Sequence, residues 1–294
     1  MAIKHYLITR FNVPINFMLT KQLEAIDITR DEQYLDKRFK LFAEYTVPSV
    51  SAQTSKEFVW YIFFSEHTPQ KYRPYIAELA ANNHNFIPVY LKTAETYTSY
   101  LKNVFAKENA ETIVQTRIDN DDAINITFIE NVQNYVRKQD CNKNEYVLVF
   151  LNGVQYEYKN KILSKYIFPN NHFNTLVTIN NGVNTKVLFD YNHMKIDNYF
   201  EVISIDNEKP MWLEGVHESN ISNRMHTKAN SILVDMDLGK EFGLTKLESE
   251  RNKFKADSYI RTNKFRNAIR LFRQYGIKKT FAKLRQKIAD KKQK

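Results

Sequence analysis

Glycine is scarce in this chain: six residues in 294, none of them in a G-x-G-x-x-G or Walker-type run. That excludes a glycine-rich cradle for nucleotide phosphates, and a metal ion becomes the natural substitute anchor. Cysteine is scarcer still. With Cys141 alone, neither an intrachain disulfide framework nor a cysteine-based zinc site can form, which fits a reducing compartment. No window reaches the roughly 18 apolar residues that a membrane span requires. The opening M-A-I-K-H-Y-L-I-T-R lacks the apolar centre of a signal peptide. The expectation is a soluble, cytoplasmic protein. What is present suits a globular fold, because 43% hydrophobic and 14% aromatic residues are too many for a disordered chain.

Charge is unevenly placed. Of the formal +10, residues 251–294 contribute +14, from 16 Lys/Arg against 2 Asp. Residues 1–250 carry 27 Lys/Arg against 31 Asp/Glu, a net of −4. A body of that sign argues against a nucleic-acid partner. The chain therefore divides into a domain over 1–250 and a basic tail over 251–294.

Within the body, strand and helix signals alternate. Residues 5–13 read as a strand, and 31–46 as a helix with Asp31 as N-cap and Pro48 beyond its end. Glu57–Ser65, E-F-V-W-Y-I-F-F-S, is apolar on both faces, as a central parallel strand would be. Helices over 70–82 and 94–108 flank a strand at 86–91, where Pro88 suggests an edge. Thr112–Ile118 is the fourth strand. This alternation predicts an α/β sandwich with a mostly parallel sheet. After residue 140 the pattern turns antiparallel. Asn152-Gly153 joins two alternating runs over 146–158 in the manner of a hairpin, and N-T-L-V-T-I, K-V-L-F-D-Y and Y-F-E-V-I-S-I add short strands. About 1–125 then forms one half of the domain, and 126–250 the other.

The fourth strand runs into R-I-D-N-D-D-A-I, with Asp119, Asp121 and Asp122 at its end. On a continuing strand Asp119 and Asp121 share a side, and a carboxylate pair at a strand end can hold a hard cation against phosphate oxygens. In parallel sheets ligands bind beyond that end of the strands. An Asx turn with no ligand is the alternative. A second D-x-D, in S-I-L-V-D-M-D-L-G (231–239), lacks the arginine and third aspartate and reads as a surface turn or loop.

P-S-V-S-A-Q-T-S-K-E-F-V-W-Y-I-F-F-S-E (48–66) resembles the first helix-to-strand segment of the GT-A glycosyltransferase superfamily, at Ser49, Val50, Gln53, Thr54, Phe58 and Ser65-Glu66. R-I-D-N-D-D-A-I resembles its D-x-D-D element. With W-L-E-G-V-H-E-S-N-I-S-N added, the chain is similar over roughly 3–230 to the rhamnosyltransferase family of bacterial polysaccharide clusters. The resemblance implies a GT-A-like, Rossmann-like fold and transfer of a sugar from a nucleotide-diphosphate donor to a surface-glycan acceptor.

It also implies roles for residues. Asp119 and Asp121 would hold Mn²⁺ or Mg²⁺ on the donor diphosphate, Asp119 also touching ribose, with His217 completing the metal site. Asp122 would contact a sugar hydroxyl or support the metal ligands from behind, rather than be a third ligand. Arg117 would pair with phosphate or, equally, form a salt bridge within the acidic cluster. Thr9, Arg10, Phe11, Gln53 and Glu66 are positioned for the nucleotide; the superfamily shows Asp where Glu66 stands, and Ser65 departs from it too. Asn220 and Asn223 would meet diphosphate or acceptor hydroxyls, or cap a helix. Trp212 would stack on a sugar or lie in the core. An inverting transfer needs a carboxylate base. Glu214 is nominated, with Glu218 and Asp190 as alternatives.

In the tail, Ile260, Phe265, Ile269 and Phe272, then Ile277, Phe281, Leu284 and Ile288, recur at three- to five-residue spacing around Gly276. Two basic amphipathic helices are expected there, lying on an anionic membrane surface beside a lipid-linked acceptor, or else packed on the body. Two rival functions stay open: a non-catalytic, membrane-associated sugar-binding scaffold, and a metal-dependent phosphoryl or nucleotidyl transferase.

Overall fold

The computed structural model describes residues 2–13, 27–92, 96–139, 145–159, 161–217, 225 and 236–250. The expectations for Cys141, Glu218, Asn220, Asn223, Asp235 and the tail 251–294 lie outside the described residues. The architecture is mixed α/β. A seven-stranded, mostly parallel sheet carries β1 (Ile3–Arg10), β2 (Val59–Ser65), β3 (Phe86–Leu91), β4 (Thr112–Arg117), β6 (Glu145–Phe150), β9 (Thr175–Ile179) and β10 (Glu201–Ile205). Its spatial order is β10-β6-β9-β4-β1-β2-β3, and β9 is antiparallel to both its neighbours. A second sheet has the order β5-β11-β7-β8, from β5 (Ala123–Ile124), β7 (Asn152–Glu157), β8 (Ile162–Ile167) and β11 (Trp212–Val216).

The two-residue period of β2 explains how the large sheet is covered. Trp60, Ile62 and Phe64 join one core cluster with Leu7, Phe42 and Phe86. Phe63, with Val59 and Tyr61 at its margin, belongs to another, packed with Ile8, Leu101 and Phe105. A strand buried on both faces in this way requires helices on both sides. One side receives α1 (Glu32–Leu41), through Leu35 and Phe39, and α5 (Phe128–Lys138), through Phe128 and Val132. The other receives α4 (Tyr97–Phe105). Pro88 stands on β3, at the sheet edge, as predicted.

Asp31 caps α1, its carboxylate accepting from the Tyr34 N–H at 2.7 Å. Pro48 does not end that helix. A π-helical turn, Phe42–Thr46, intervenes, and α2 (Val47–Ser51) begins with Pro48 in its first turn, where a missing N–H costs nothing. Helix α3 (Arg73–Asn82) follows a 3₁₀ turn at Gln70–Tyr72.

Two expected elements are corrected. K-V-L-F-D-Y is no strand but a 3₁₀ turn, Leu188–Asp190. Gln115 of β4 holds it there, donating to the Lys186 carbonyl at 2.7 Å and accepting from the Leu188 N–H at 3.0 Å. Asn152-Gly153 makes no hairpin either. Both residues belong to β7, and the chain passes at Leu151 from the large sheet to the small one. Gly153 serves packing rather than turning: a Cβ there would lie 2.1 Å from the Trp212 ring. Asp237, of the second D-x-D, caps the short helix α6 (Leu238–Phe242) by accepting from the Lys240 N–H at 3.0 Å. The last described helix is α7 (Thr245–Glu250).

Among the described residues no helix is long and apolar enough to cross a membrane. The Gly153–Trp212 contact makes a prediction. Gly153→Ala forces a methyl group into a fully buried indole, at the upper end of overpacking costs, about 3 kcal/mol. Urea denaturation measures it; a midpoint equal to wild type would remove the packing account of this glycine.

Candidate metal and anion site

Strand β4 stops at Arg117, and the next residues turn instead of continuing. The Asp122 N–H reaches the Asp119 carbonyl at 3.4 Å, closing a four-residue turn. Turn geometry brings residues i and i+3 together, so Asp119 and Asp122 converge, and the same-side argument for Asp119 and Asp121 fails. The Thr46 hydroxyl, from the π-helical turn, donates to the Asp122 carbonyl at 2.8 Å. Asn120 donates its amide to the Phe11 carbonyl at 3.2 Å. On the far side Gly215 approaches so closely that a Cβ would lie 2.4 Å from the Asp121 carbonyl oxygen.

Each carboxylate of the turn has its own partners. Asp119 takes a two-pronged contact from Arg117, Nε to Oδ1 at 3.1 Å and a terminal nitrogen to Oδ2 at 2.8 Å. Asp121 accepts from Arg38 of α1 at 2.9 Å, and His217 Nε2 lies 2.9 Å from the same oxygen. Arg38 also donates to the Asn120 side chain. Asp122 is buried; its Oδ1 accepts from the Gly215 N–H at 2.9 Å and its Oδ2 lies 2.7 Å from His172 Nε2.

The electrostatics follow from these contacts. Burial opposes the charge on Asp119, but the Arg117 fork, His172 and Arg10 outweigh it and hold the carboxyl well below the usual range. Asp121 is also lowered, against burial, by Arg38 and His217. Burial, with Asp121 adding, pushes Asp122 up to about 7, against the pull of His172. For His172, burial is outweighed by Asp122, and its pKa rises to about 9. The short Asp122–His172 contact thus holds one proton between two buried groups.

Asp119, Asp122 and His172 each offer a ligand atom within 4.8 Å of the others. Two carboxylate oxygens and an imidazole nitrogen form a donor set that fits Mn²⁺, and the carboxylates suit Mg²⁺ as well. This candidate set shares Asp119 with the expected ligands and differs from them in the other two places. Asp119 stays, Asp122 enters as a ligand candidate, and His172 takes the imidazole place. Asp121 meets His217 and Arg38 through one carboxylate oxygen. His172, in a loop between β8 and β9 that carries no spacing signal, was missed because its partner Asp122 lies 50 residues away in sequence. Its ring stacks on Phe173 at 4.3 Å.

Most expected nucleotide contacts are engaged in structure. The Thr9 hydroxyl accepts from the Trp60 indole at 3.0 Å, and Phe11 packs in the core against Phe39. Gln53 spends its amide on the Ser49 and Asn125 carbonyls and on the Ile129 N–H. It braces the segment after the acidic turn and offers no free amide to a ligand. Glu66 is exposed at the end of β2. Trp212 is 1% exposed, donates to the Phe150 carbonyl at 2.8 Å and stacks on Phe173. It is a core residue with no open face for a sugar. Glu214 is buried and accepts from Gln155.

Arg10 and Arg117 line a cavity of about 230 Å³ between the ends of β1 and β4 and the turn at Leu188–Asp190. Tyr97, Phe189 and His193 also face it, and Asp190 is exposed at its rim, accepting from the Thr98 hydroxyl at 2.6 Å. His193 is near the trio, its ring 6.1 Å from that of His172.

Mn²⁺ titration tests the trio. Asp119→Asn, Asp122→Asn and His172→Ala should each weaken binding about 10-fold to 100-fold, whereas Asp121→Asn should weaken it less. Equal affinity of His172→Ala and wild type would remove His172 from the ligand set.

A family model described as "Putative rhamnosyl transferase" matches residues 4–229. No curated protein sequence matches the chain. Among solved structures, S. aureus TarS is similar at 14% identity and a TM-score of 0.40, over 72% of this chain and 37% of TarS. S. aureus TarS 1–349 in complex with UDP-GlcNAc is similar at 12% identity and a TM-score of 0.40, over 74% of this chain and 60% of that one. The chain thus spans less than two thirds of either.

Proposed function

The chain belongs to that rhamnosyl transferase family, and from this membership and the acidic turn we propose a metal-dependent glycosyltransferase of GT-A type. It moves a sugar from a nucleotide-diphosphate donor to a bacterial surface-glycan acceptor. The observation that carries the reading is the convergence of Asp119, Asp122 and His172 just past the carboxyl end of β4, where ligands of parallel sheets bind. Held by these three residues, a divalent cation supplies positive charge for the departing nucleoside diphosphate.

The chain's own side chains do the rest. Asp122 and His172 share a proton whose place a cation would take, and the Gly215 N–H keeps the Asp122 carboxylate oriented. Arg117 fixes Asp119 by its two-pronged contact. Inversion requires a carboxylate that can accept the proton of an incoming hydroxyl. Asp190 is the better candidate, being exposed at the cavity rim, because Glu214 is walled in against Gln155.

Incubated with Mn²⁺ and a panel of UDP-, GDP- and dTDP-sugars, the protein should slowly hydrolyse one donor to free sugar and nucleoside diphosphate. Asp122→Asn should lower that rate about 100-fold or more, the scale of losing one electrostatic stabiliser. Asp190→Asn should lower kcat about 100-fold with unchanged Mn²⁺ affinity. Release of a sugar phosphate would instead indicate phosphoryl or nucleotidyl transfer.

Residues 251–294, with their net +14 and recurring apolar positions, extend the proposal to an anionic membrane surface on the cytoplasmic side, where a lipid-linked acceptor would be reached. Each Lys or Arg near such a surface contributes about 1 kcal/mol. The full chain should pellet with phosphatidylserine vesicles at low salt, and the 251–294 deletion should stay in the supernatant. Equal pelleting of the two forms would take the tail out of the proposal.

A further inference from the structure

The cavity beside the acidic turn holds a buried charge that its surroundings answer only in part. Arg117 is matched by Asp119. For Arg10, among the described residues, no carboxylate comes within ion-pair distance, and its Nε atom is buried with no hydrogen-bond partner. Aromatic rings hold both guanidinium groups in place. The Arg10 centre is 4.4 Å from the Phe189 ring centroid and 5.6 Å from that of Tyr97, and Arg117 is 5.4 Å from Phe189. Burial, reinforced by the like charge of Arg117, pulls the Arg10 pKa down, and the opposing pull of Asp119 and Tyr97 does not make up the difference.

An unsatisfied buried donor costs about 1–3 kcal/mol, and more on a charged group. Two clamped guanidinium groups around one cavity therefore create a demand for negative charge. His193 does not add a third cation, because burial and the neighbouring Arg117 lower its pKa to about 3. Asp190 does not meet the demand, since it stands exposed at the rim with Thr98.

We propose that this cavity is an oxyanion site, in which the fork of Arg10, with Arg117 beside it, grips a phosphate or carboxylate carried by a substrate. Guanidinium groups match the planar or tetrahedral oxygens of those anions better than any other side chain. At about 230 Å³ the cavity is smaller than the roughly 300–1,000 Å³ of sites for drug-sized ligands. It suits a charged end group, not an entire nucleotide sugar. Two sources share that chemistry: the diphosphate of the donor and an acidic group on the acceptor saccharide. The place of the oxyanion in a reaction rests on the glycosyl-transfer reading, but its binding does not.

Calorimetric titration of the full chain with inorganic phosphate and with glucuronate tests the site without turnover. Wild type should bind both. Arg10→Gln should weaken both about tenfold or more, the scale of one charge-assisted contact, and Arg10→Lys, which keeps charge without the fork, should fall between. Circular dichroism and melting confirm that each variant is folded, and Arg10→Lys carries the test if Arg10→Gln is not. The source is read with UDP, GDP and dTDP in the presence of Mn²⁺. A parallel loss of nucleoside diphosphate affinity assigns the oxyanion to the donor. Unchanged nucleotide affinity, with phosphate and glucuronate weakened, assigns it to the acceptor. Equal phosphate and glucuronate affinities in wild type and both variants, or no binding by wild type, would overturn the proposal. Absence of any hydrolytic activity would count against the enzyme reading alone.

Discussion

The structure of the site depends on how one buried carboxylate is held. Asp122 lies almost entirely out of water, and an isolated charge there would be prohibitively costly. It is tolerated because the Gly215 N–H and His172 meet its two oxygens. Gly215 comes from the second sheet and His172 from the loop preceding β9, while Thr46 fixes the Asp122 carbonyl from the helical side. One residue thus ties together three separate parts of the chain. The close approach of β11 that makes this possible tolerates no Cβ at Gly215.

The same logic separates the three aspartates. Three like charges within four residues would repel strongly in a dry turn. Each is therefore given a different counter-group from a different element: Arg117 at the end of β4, Arg38 on α1 and His172 on its loop. Removing one partner of a buried pair leaves an uncompensated charge, at a cost of about 3–5 kcal/mol. The Arg38–Asp121 pair is nearly inaccessible on both sides, so its role is to dock α1 onto the acidic turn. It also holds the Asp121 carboxylate toward α1 and His217, while Asp119 and Asp122 converge on His172.

The sequence made much of this legible, and the limits have physical causes. The period-2 run of β2, the Asp31 cap and the edge position of Pro88 are local properties and could be read locally. So could the location of the acidic cluster at a strand end. The distribution of roles within the cluster could not, because it depends on whether the chain continues or turns after Arg117. His172 and Arg38 were invisible for a related reason: their partners are brought near by the fold, not by spacing. Asn152-Gly153 misled because a glycine needed for close packing against Trp212 looks identical, in sequence, to one needed for a turn. Gln53, singled out for a ligand, braces the framework behind the site, and Trp212 takes the core place that was its alternative.

Cation and anion sites, as proposed, lie side by side and share a residue pair. Asp119 belongs to the metal trio, and its partner Arg117 belongs to the cavity wall. A divalent cation that draws on Asp119 takes away part of the counter-charge of Arg117. The guanidinium group then adds to the demand for an anion already set by Arg10. An oxyanion in the cavity acts in the opposite direction, competing with Asp119 for Arg117 and leaving that carboxylate freer for a cation. The two binding events therefore favour each other, and by linkage each strengthens the other by the same factor. A substrate that carries negative charge and arrives with a divalent cation satisfies both sites at once, whereas either alone leaves a buried charge imperfectly matched.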